Sequence, residues 1–306
     1  MTVAVFGSIN MDLVARTPRL PMPAETITGH EFFTAPGGKG ANQAVAAARL
    51  GNPTKMIGRV GGDGFGQALR QQLVDAGVDI SAVFVDQSVS SGVAVIAVDD
   101  TAQNTIIVVP GANGQVGEAD LQRLETSLTD AKVLLLQLEV PLAATIAAAR
   151  LGHERGVTVV LDPAPAQKLP AALYSLIDII TPNEVEAAEL VGFPVKNEAD
   201  AVRAAQTLLE RGVSTAIVKM GALGVLYTTQ KTRAFIPAFK VNAIDTVAAG
   251  DAFNGGLAAA LAADQDLVTA VRWGAAAGAL STTKAGAQPS MPGRAEFDLF
   301  RQNNLE

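Results

Sequence analysis

From about residue 118 onward, short apolar runs alternate with longer Ala- and Leu-rich segments, and this alternation limits the fold more than any other feature of the chain. Helical spacing at 118–129, 142–155, 183–191, 198–211, 250–263 and 266–283 separates strand-like runs at 133–138, 157–161, 177–180 and 216–220, with further strands to about Phe239. A strand that is apolar at successive positions has no face to turn to water. Such strands belong in a mostly parallel sheet covered by helices on both sides, an α/β architecture. Val3 to Phe6 reads the same way and ends at Gly7, and Lys55 to Val60 is a further strand. Ala41 to Leu50 is helical, with Gly51 as its C-cap. A second early helix starts near Gly64, sets Phe65, Leu69 and Leu73 on one face, and ends at Gly77.

Two stretches depart from this texture. Residues 11–36 hold Pro18, Pro21, Pro23 and Pro36 together with the β-favouring Glu25-Thr26-Ile27-Thr28. Val93 to Val98 and Thr105 to Val109 are β-branched runs joined by residues 99–104, which predicts a hairpin. The expectation is a single domain over 1–306 with a small β piece from segments of about 11–36 and 89–110. No Gly/Ser linker and no fixed-period repeat divides the chain.

Composition narrows the chemistry. With 49% hydrophobic and 17% charged residues, the chain has the profile of a packed domain. It has no cysteine, which excludes disulfides, thiolate metal sites and cysteine nucleophiles and suits a cytoplasmic protein. Its two histidines, His30 and His153, are too few for a His-rich metal site. A net charge of −7 without a block of like charge argues against nucleic-acid and anionic-membrane partners. No stretch approaches the roughly 18 apolar residues of a membrane span. The first seven residues lack the basic region and apolar run of a signal peptide.

The common nucleotide fingerprints fail. Gly38-Lys39 is followed by Gly40 where a P-loop needs Ser or Thr, and Phe33 stands where its first Gly belongs. The glycines at 58, 61, 62, 64 and 66 do not fit G-x-G-x-x-G and read as a turn before a helix. Three other clusters hold chemistry. Gly37-Gly38-Lys39-Gly40-Ala41-Asn42 opens a helix, where glycines and free N–H groups suit an oxygen-rich ligand; the competing reading is a flexible turn with a surface Lys. In the segment from Asp245 to Gly256, Ala248-Ala249-Gly250 leads into a helix whose N-terminal N–H groups suit developing phosphate charge. Asp251, in its first turn, is expected to be kept ionised by the helix dipole and able to act as a base; the competing reading is an N-cap. Asn10, Asp12 and Glu139 follow apolar strands, at the strand ends where open α/β sheets bind ligands.

The run Gly37 to Ala44 resembles the first motif of the PfkB, or ribokinase-like, family of carbohydrate kinases, and Asp245 to Asp251 resembles the second. Ser8-Ile9-Asn10, Glu25 to Gly29, Gln137-Leu138-Glu139, Pro163 to Ala166, Thr181 to Glu184 and Gly286 to Ser290 follow in the family's order, so the resemblance spans nearly the whole chain. It implies a ribokinase-like three-layer α/β/α sandwich with a small β-sheet lid, and an ATP-dependent transfer to the 5-hydroxyl of D-ribose. A related kinase acting on 2-deoxyribose, a ketohexose or a nucleoside is the alternative. A non-catalytic sugar-binding protein on the same fold is a distant one.

By the same resemblance, Asn10, Asp12, Gly38, Lys39, Asn42, Glu139 and Asp251 hold the sugar, with Asp251 as the general base. The N–H groups of Ala248, Ala249 and Gly250 form an anion hole. Asn183 and Glu186 arrange Mg²⁺ and the phosphates, and Lys219, Met220, Gly221, Ala222, Leu223, Gly224 and Gly250 bind ATP. Asp245, Val247, Ser281, Lys284, Gly286 and Ser290 fall where the family binds K⁺, largely through carbonyl oxygens. A homodimer joined through the small sheet is implied too. Gly274 stands where several relatives place a polar or imidazole side chain near the adenine.

Overall fold

The computed structural model describes residues 1–101 and 103–305; Ala102, in the turn of the expected hairpin, and Glu306, at the end of the expected domain, lie outside the described residues. The chain begins with β1 (Thr2–Phe6), β2 (Asn10–Thr17), β3 (Glu31–Gly37), α1 (Lys39–Arg49), β4 (Thr54–Gly61), α2 (Gly64–Asp75), β5 (Val78–Asp86), β6 (Gly92–Asp99) and β7 (Asn104–Val109). It continues through α3 (Glu118–Ser127), β8 (Ala131–Leu136), α4 (Leu142–Glu154), β9 (Thr158–Leu161), the single turn α5 (Ala171–Tyr174), β10 (Ile179–Ile180), α6 (Glu184–Val191) and α7 (Glu198–Glu210). The last elements are β11 (Thr215–Lys219), β12 (Gly224–Thr229), β13 (Arg233–Pro237), α8 (Ala249–Ala262), α9 (Leu267–Ser281) and α10 (Arg294–Leu305).

The main sheet has nine strands in the order β13-β12-β11-β10-β9-β8-β1-β4-β5. All pairs from β11 to β5 are parallel, and β12 and β13 add an antiparallel edge. The period of two explains the apolar runs. Val3, Val5, Val133 and Leu135 enter the layer that holds α1, α8 and α9, while Ala4, Phe6, Leu134 and Leu136 enter the layer that holds α3, α4 and α7. Each large side chain fully buried this way contributes about 1.5–3 kcal/mol. The result is the three-layer α/β/α sandwich that the alternation implied.

The sheet order also decides where a ligand can sit. From β1 the chain adds β4 and β5 outward on one side, then returns with β8 on the other side of β1. The β1/β8 boundary is therefore a topological switch point, and its C-terminal ends lead into Gly7–Asn10 and Gln137–Glu139.

A second, four-stranded sheet has the order β3-β2-β6-β7, built from the two departing segments, and β6 and β7 form the antiparallel hairpin. Glu25 to Thr28 forms no strand, although the outer edges of β3 and β7 are open. Phe65 is half-open to solvent although Leu69 and Leu73 are buried. An i, i+4 row rotates about 40° around the helix at each step, so its N-terminal end leaves the core. β5 escaped the sequence reading because Asp79, Ser81 and Asp86 break its pattern. Its exposed Phe84 is flanked by Arg59 and Arg123, each 5.0 Å from the ring. α10 was also unforeseen, and its Phe297 packs edge-on against Trp273 at 5.1 Å. No helix among the described residues is long and apolar enough to cross a membrane.

Candidate active site

The site begins where β3 turns into α1. Gly38 has φ of +88°, and a Cβ there would stand 2.7 Å from the Asn10 nitrogen, so only glycine fits the turn. The turn sets α1 on the C-terminal end of β1. The Lys39 N–H donates to Glu139 Oε2 at 3.0 Å, and the Ser8 hydroxyl donates to the same oxygen at 2.6 Å. Asn10 is aimed by a residue the sequence did not reveal: the buried Asn113 donates to Asn10 Oδ1 at 2.7 Å while bonding both backbone groups of Ile9.

Small residues let α1 and α8 approach closely; a Cβ on Gly255 would lie 2.4 Å from that of Ala46. The approach brings the two motifs together. Asn42 Nδ2 donates to Asp251 Oδ2 at 2.9 Å, and Gln43 Nε2 donates to Asp251 Oδ1 at 3.1 Å. Gln43 Nε2 also donates to Asp162 Oδ2 at 2.9 Å, and Asp162 Oδ1 accepts the Lys219 ammonium at 2.9 Å. That ammonium borders the start of α8, since a Cβ on Gly250 would lie 3.3 Å from it. Ala248 begins the turn with a left-handed φ of +58°. Of the three expected anion-hole donors, Ala249 N–H already bonds Thr246 O at 3.3 Å. Among the described residues, the N–H groups of Ala248, Gly250 and Asp251 have no acceptor, which leaves three donors at a helix N-terminus.

Burial and crowded carboxylates set the electrostatics. Burial pushes Asp251 above the ordinary carboxylate range and Asp162 adds to it, against the opposing pull of Lys39 and the Asn42 and Gln43 amides. Burial thus opposes the ionisation that a helix N-terminus favours. Burial, then Glu139, then Asp251 raise Asp12 to about 7. Burial opposes the charge on Lys39, but Asp251, Asp162, Glu139 and Glu186 outweigh it and hold its pKa above the usual lysine value. One ammonium thus sits at the focus of four acids.

Asn183 and Glu186 form a reciprocal cap on α6. Asn183 Oδ1 accepts from Glu186 N at 2.9 Å, and the Glu186 carboxylate accepts from Asn183 N at 2.8 Å. Burial is the main cause that raises the Glu186 pKa, with Asp162 adding and Lys219 opposing. From Lys219 the chain passes buried Met220, makes one tight turn over Gly221–Leu223 with Leu223 exposed, and enters β12 at Gly224. Asp245 meets the last loop: its carboxylate accepts from Gly286 N at 2.8 Å and from Val247 N at 3.0 Å. The hydroxyls of Ser281 and Ser290 donate to Gly278 O and Ala287 O, and Lys284 turns its ammonium to Glu296. The Lys284 side chain can ligate no cation, whereas each serine oxygen donates its hydrogen and keeps lone pairs for an ion. Gly274 is buried in the α8–α9 contact, where a Cβ would lie 2.9–3.0 Å from Phe253. No side chain fits there without a shift of Phe253. A cavity of about 470 Å³ between α2 and β5 is lined by residues such as Arg70, Gln71 and Gln87 and by none of the site residues.

Residues 1–294 match the pfkB family carbohydrate kinase profile. The chain belongs to the pfkB family of carbohydrate kinases. This pfkB kinase is 43% identical to a ribokinase of Haemophilus influenzae over 99% of both chains. It is 36% identical to a deoxyribokinase of Salmonella typhi, over 99% of this chain and 100% of the other. Its fold superposes with a TM-score of 0.90 on an Arabidopsis thaliana ribokinase solved with ribose and ATP, 32% identical and covering 97% of each chain. The pfkB kinase fold accounts for the layers, the second sheet and the position of both motifs. Gln43, Asp162 and Asn113 are the residues sequence reasoning missed. Asp162 carried the same signal as Glu139, a carboxylate just past an apolar strand; Asn113 carried none.

Proposed function

We propose that this enzyme transfers the γ-phosphate of ATP to the 5-hydroxyl of D-ribose, giving ribose 5-phosphate and ADP. The observation that carries the reading is Asp251, a buried carboxylate with a raised pKa, oriented by Asn42 and Gln43 beside three free N–H donors. Asn10, Asp12, Gly38, Lys39, Asn42 and Glu139 hold the sugar. Asp251 accepts the hydroxyl proton as the new O–P bond forms and the bond to ADP breaks. The N–H groups at the start of α8 and the Lys219 ammonium meet the charge of the transferring group. Asn183, Glu186 and the stretch from Lys219 to Gly224 take the nucleotide.

Mg²⁺ fits beside Glu186 and Asp162, because this ion is held through one or two carboxylates and the substrate phosphates; it neutralises phosphate charge. K⁺ fits between Asp245 and the last loop. Among the described residues, the carbonyls of Asp245, Val247, Lys284 and Gly286 accept no hydrogen bond, and oxygen ligands suit a hard cation. There it steadies the turn that leads into α8. The small sheet serves as a lid and as the contact of a homodimer, since β7 exposes Ile106, Ile107, Val108 and Val109. With ATP as its second substrate, the enzyme acts in the cytoplasm on this reading.

ADP release measured across ribose, 2-deoxyribose, fructose and nucleosides tests the substrate. Asn113 holds Asn10 Oδ1, which leaves the Asn10 amide N–H groups for a ring hydroxyl, and a deoxy sugar leaves buried polar groups unpaired. Ribose is expected to have the highest kcat/KM. Equal or higher kcat/KM with 2-deoxyribose overturns the ribose assignment and leaves the kinase.

A further inference from the structure

Gln43 is fully buried on a helix whose other core-facing residues are mostly Ala and Val. A leucine or methionine would fill its volume, yet each of its polar atoms has a chemically specific partner. Its Nε2 stands between two carboxylates, 2.9 Å from Asp162 and 3.1 Å from Asp251, and its Oε1 accepts from Gln137 Nε2 at 2.7 Å. The amide NH₂ has one donor for each acid and the amide oxygen has none, so the partners dictate which way the amide points. Asp162 passes the link on to the Lys219 ammonium, which borders Gly250.

We infer that Gln43 is a positioning residue that ties the proton acceptor Asp251 to the Asp162–Lys219 pair, so that the base and the phosphate side of the site are held as one hydrogen-bonded unit. The inference rests on Asp251 being the base. The charged groups that face Asp251 are Lys39 from α1, Asp12 from the small sheet and Asp162 past β9, with Lys219 and Glu139 beyond them. Lys39 supplies most of the compensating charge. Gln43 supplies direction: with Asn42 on Oδ2 and Gln43 on Oδ1, the carboxylate cannot rotate away from the sugar.

The test compares Gln43→Leu, Gln43→Met, Asp162→Asn and the Leu/Asn double variant in the full-length enzyme, with kcat and kcat/KM measured from about pH 5 to about pH 9. Removing one N–H donor from ionised Asp251 should move the acidic limb of kcat/KM upward by about one pH unit. kcat should fall about tenfold while the sugar KM stays within about threefold, because orientation rather than sugar binding is lost. The double variant should be no slower than the slower single variant, since both changes cut one link. A wild-type limb in the folded Leu or Met variant, or losses that multiply in the double variant, overturns the inference. Asp251→Asn separates the two ideas: if it turns over normally the base reading fails, and if it is inactive while the Gln43 variants keep the wild-type limb, only the coupling fails.

Discussion

Asp12 should be a place where the protein gives up stability for function, and Asp12→Asn measures how much. Burial and the facing acids Glu139 and Asp251 raise its pKa from 3.8 to about 7. Below the unfolded value the carboxyl is protonated in both states and has no effect. Between 3.8 and about 7 the folded protein binds more protons than the unfolded one, so stability falls as pH rises. Above about 7 the loss is complete. A displacement of this size corresponds to about 4 kcal/mol, and partial solvent access reduces it to about 2–4 kcal/mol. Asparagine keeps the shape and carries no charge. Without sugar, the variant should therefore be more stable than the wild type, with a gain about 2 kcal/mol larger at about pH 8.5 than at about pH 5. Urea denaturation at the two pH values reads this directly, provided the slope m is unchanged. The same substitution should weaken ribose binding. A variant no more stable at the higher pH, or a gain equal at both, refutes the reasoning.

Further outcomes are expected at Asp251, at the small sheet and at the potassium site. Asp251→Asn should lower turnover about 10²–10⁴-fold while ribose still binds by calorimetry; near wild-type turnover contradicts its role. Asn42 and Gln43 both donate to Asp251, and the one oxygen of an amide cannot accept from both as the carboxylate does, so this variant should gain no more than a little stability from losing the charge. Ile107→Asp, on a strand exposed along its whole length, should shift the protein from dimer to monomer in sedimentation equilibrium, and an unchanged dimer argues for another interface. Replacing potassium by sodium or a large organic cation at constant ionic strength should lower activity, and Asp245→Ala should remove that dependence with much of the rate. Activity indifferent to the cation, in protein freed of retained potassium, removes the ion pocket.

The layered fold was legible because its cause is local and periodic. Val3 to Phe6 and Val133 to Leu136 are apolar at every position, which only a doubly covered strand explains. Both motifs were legible because glycine and small residues at a helix start have few other uses. The strand β5 and the helix α10 were not, since their apolar residues are interrupted by Asp79, Ser81 and Asp86 in one and surrounded by polar residues in the other. By itself the sequence determined the strand and helix alternation, the small-residue faces of α1 and α8, and the residue types of the site. Only the tertiary structure decided that Asn42 and Gln43, 209 and 208 positions from Asp251, both donate to it, that Asp162 joins Gln43 to Lys219, and that Gly274 is closed by Phe253. The physical reason is that burial and charge are collective. The pKa of Asp12 depends on Glu139 and Asp251, which reach it from other strands and helices, and no local pattern encodes how close they come.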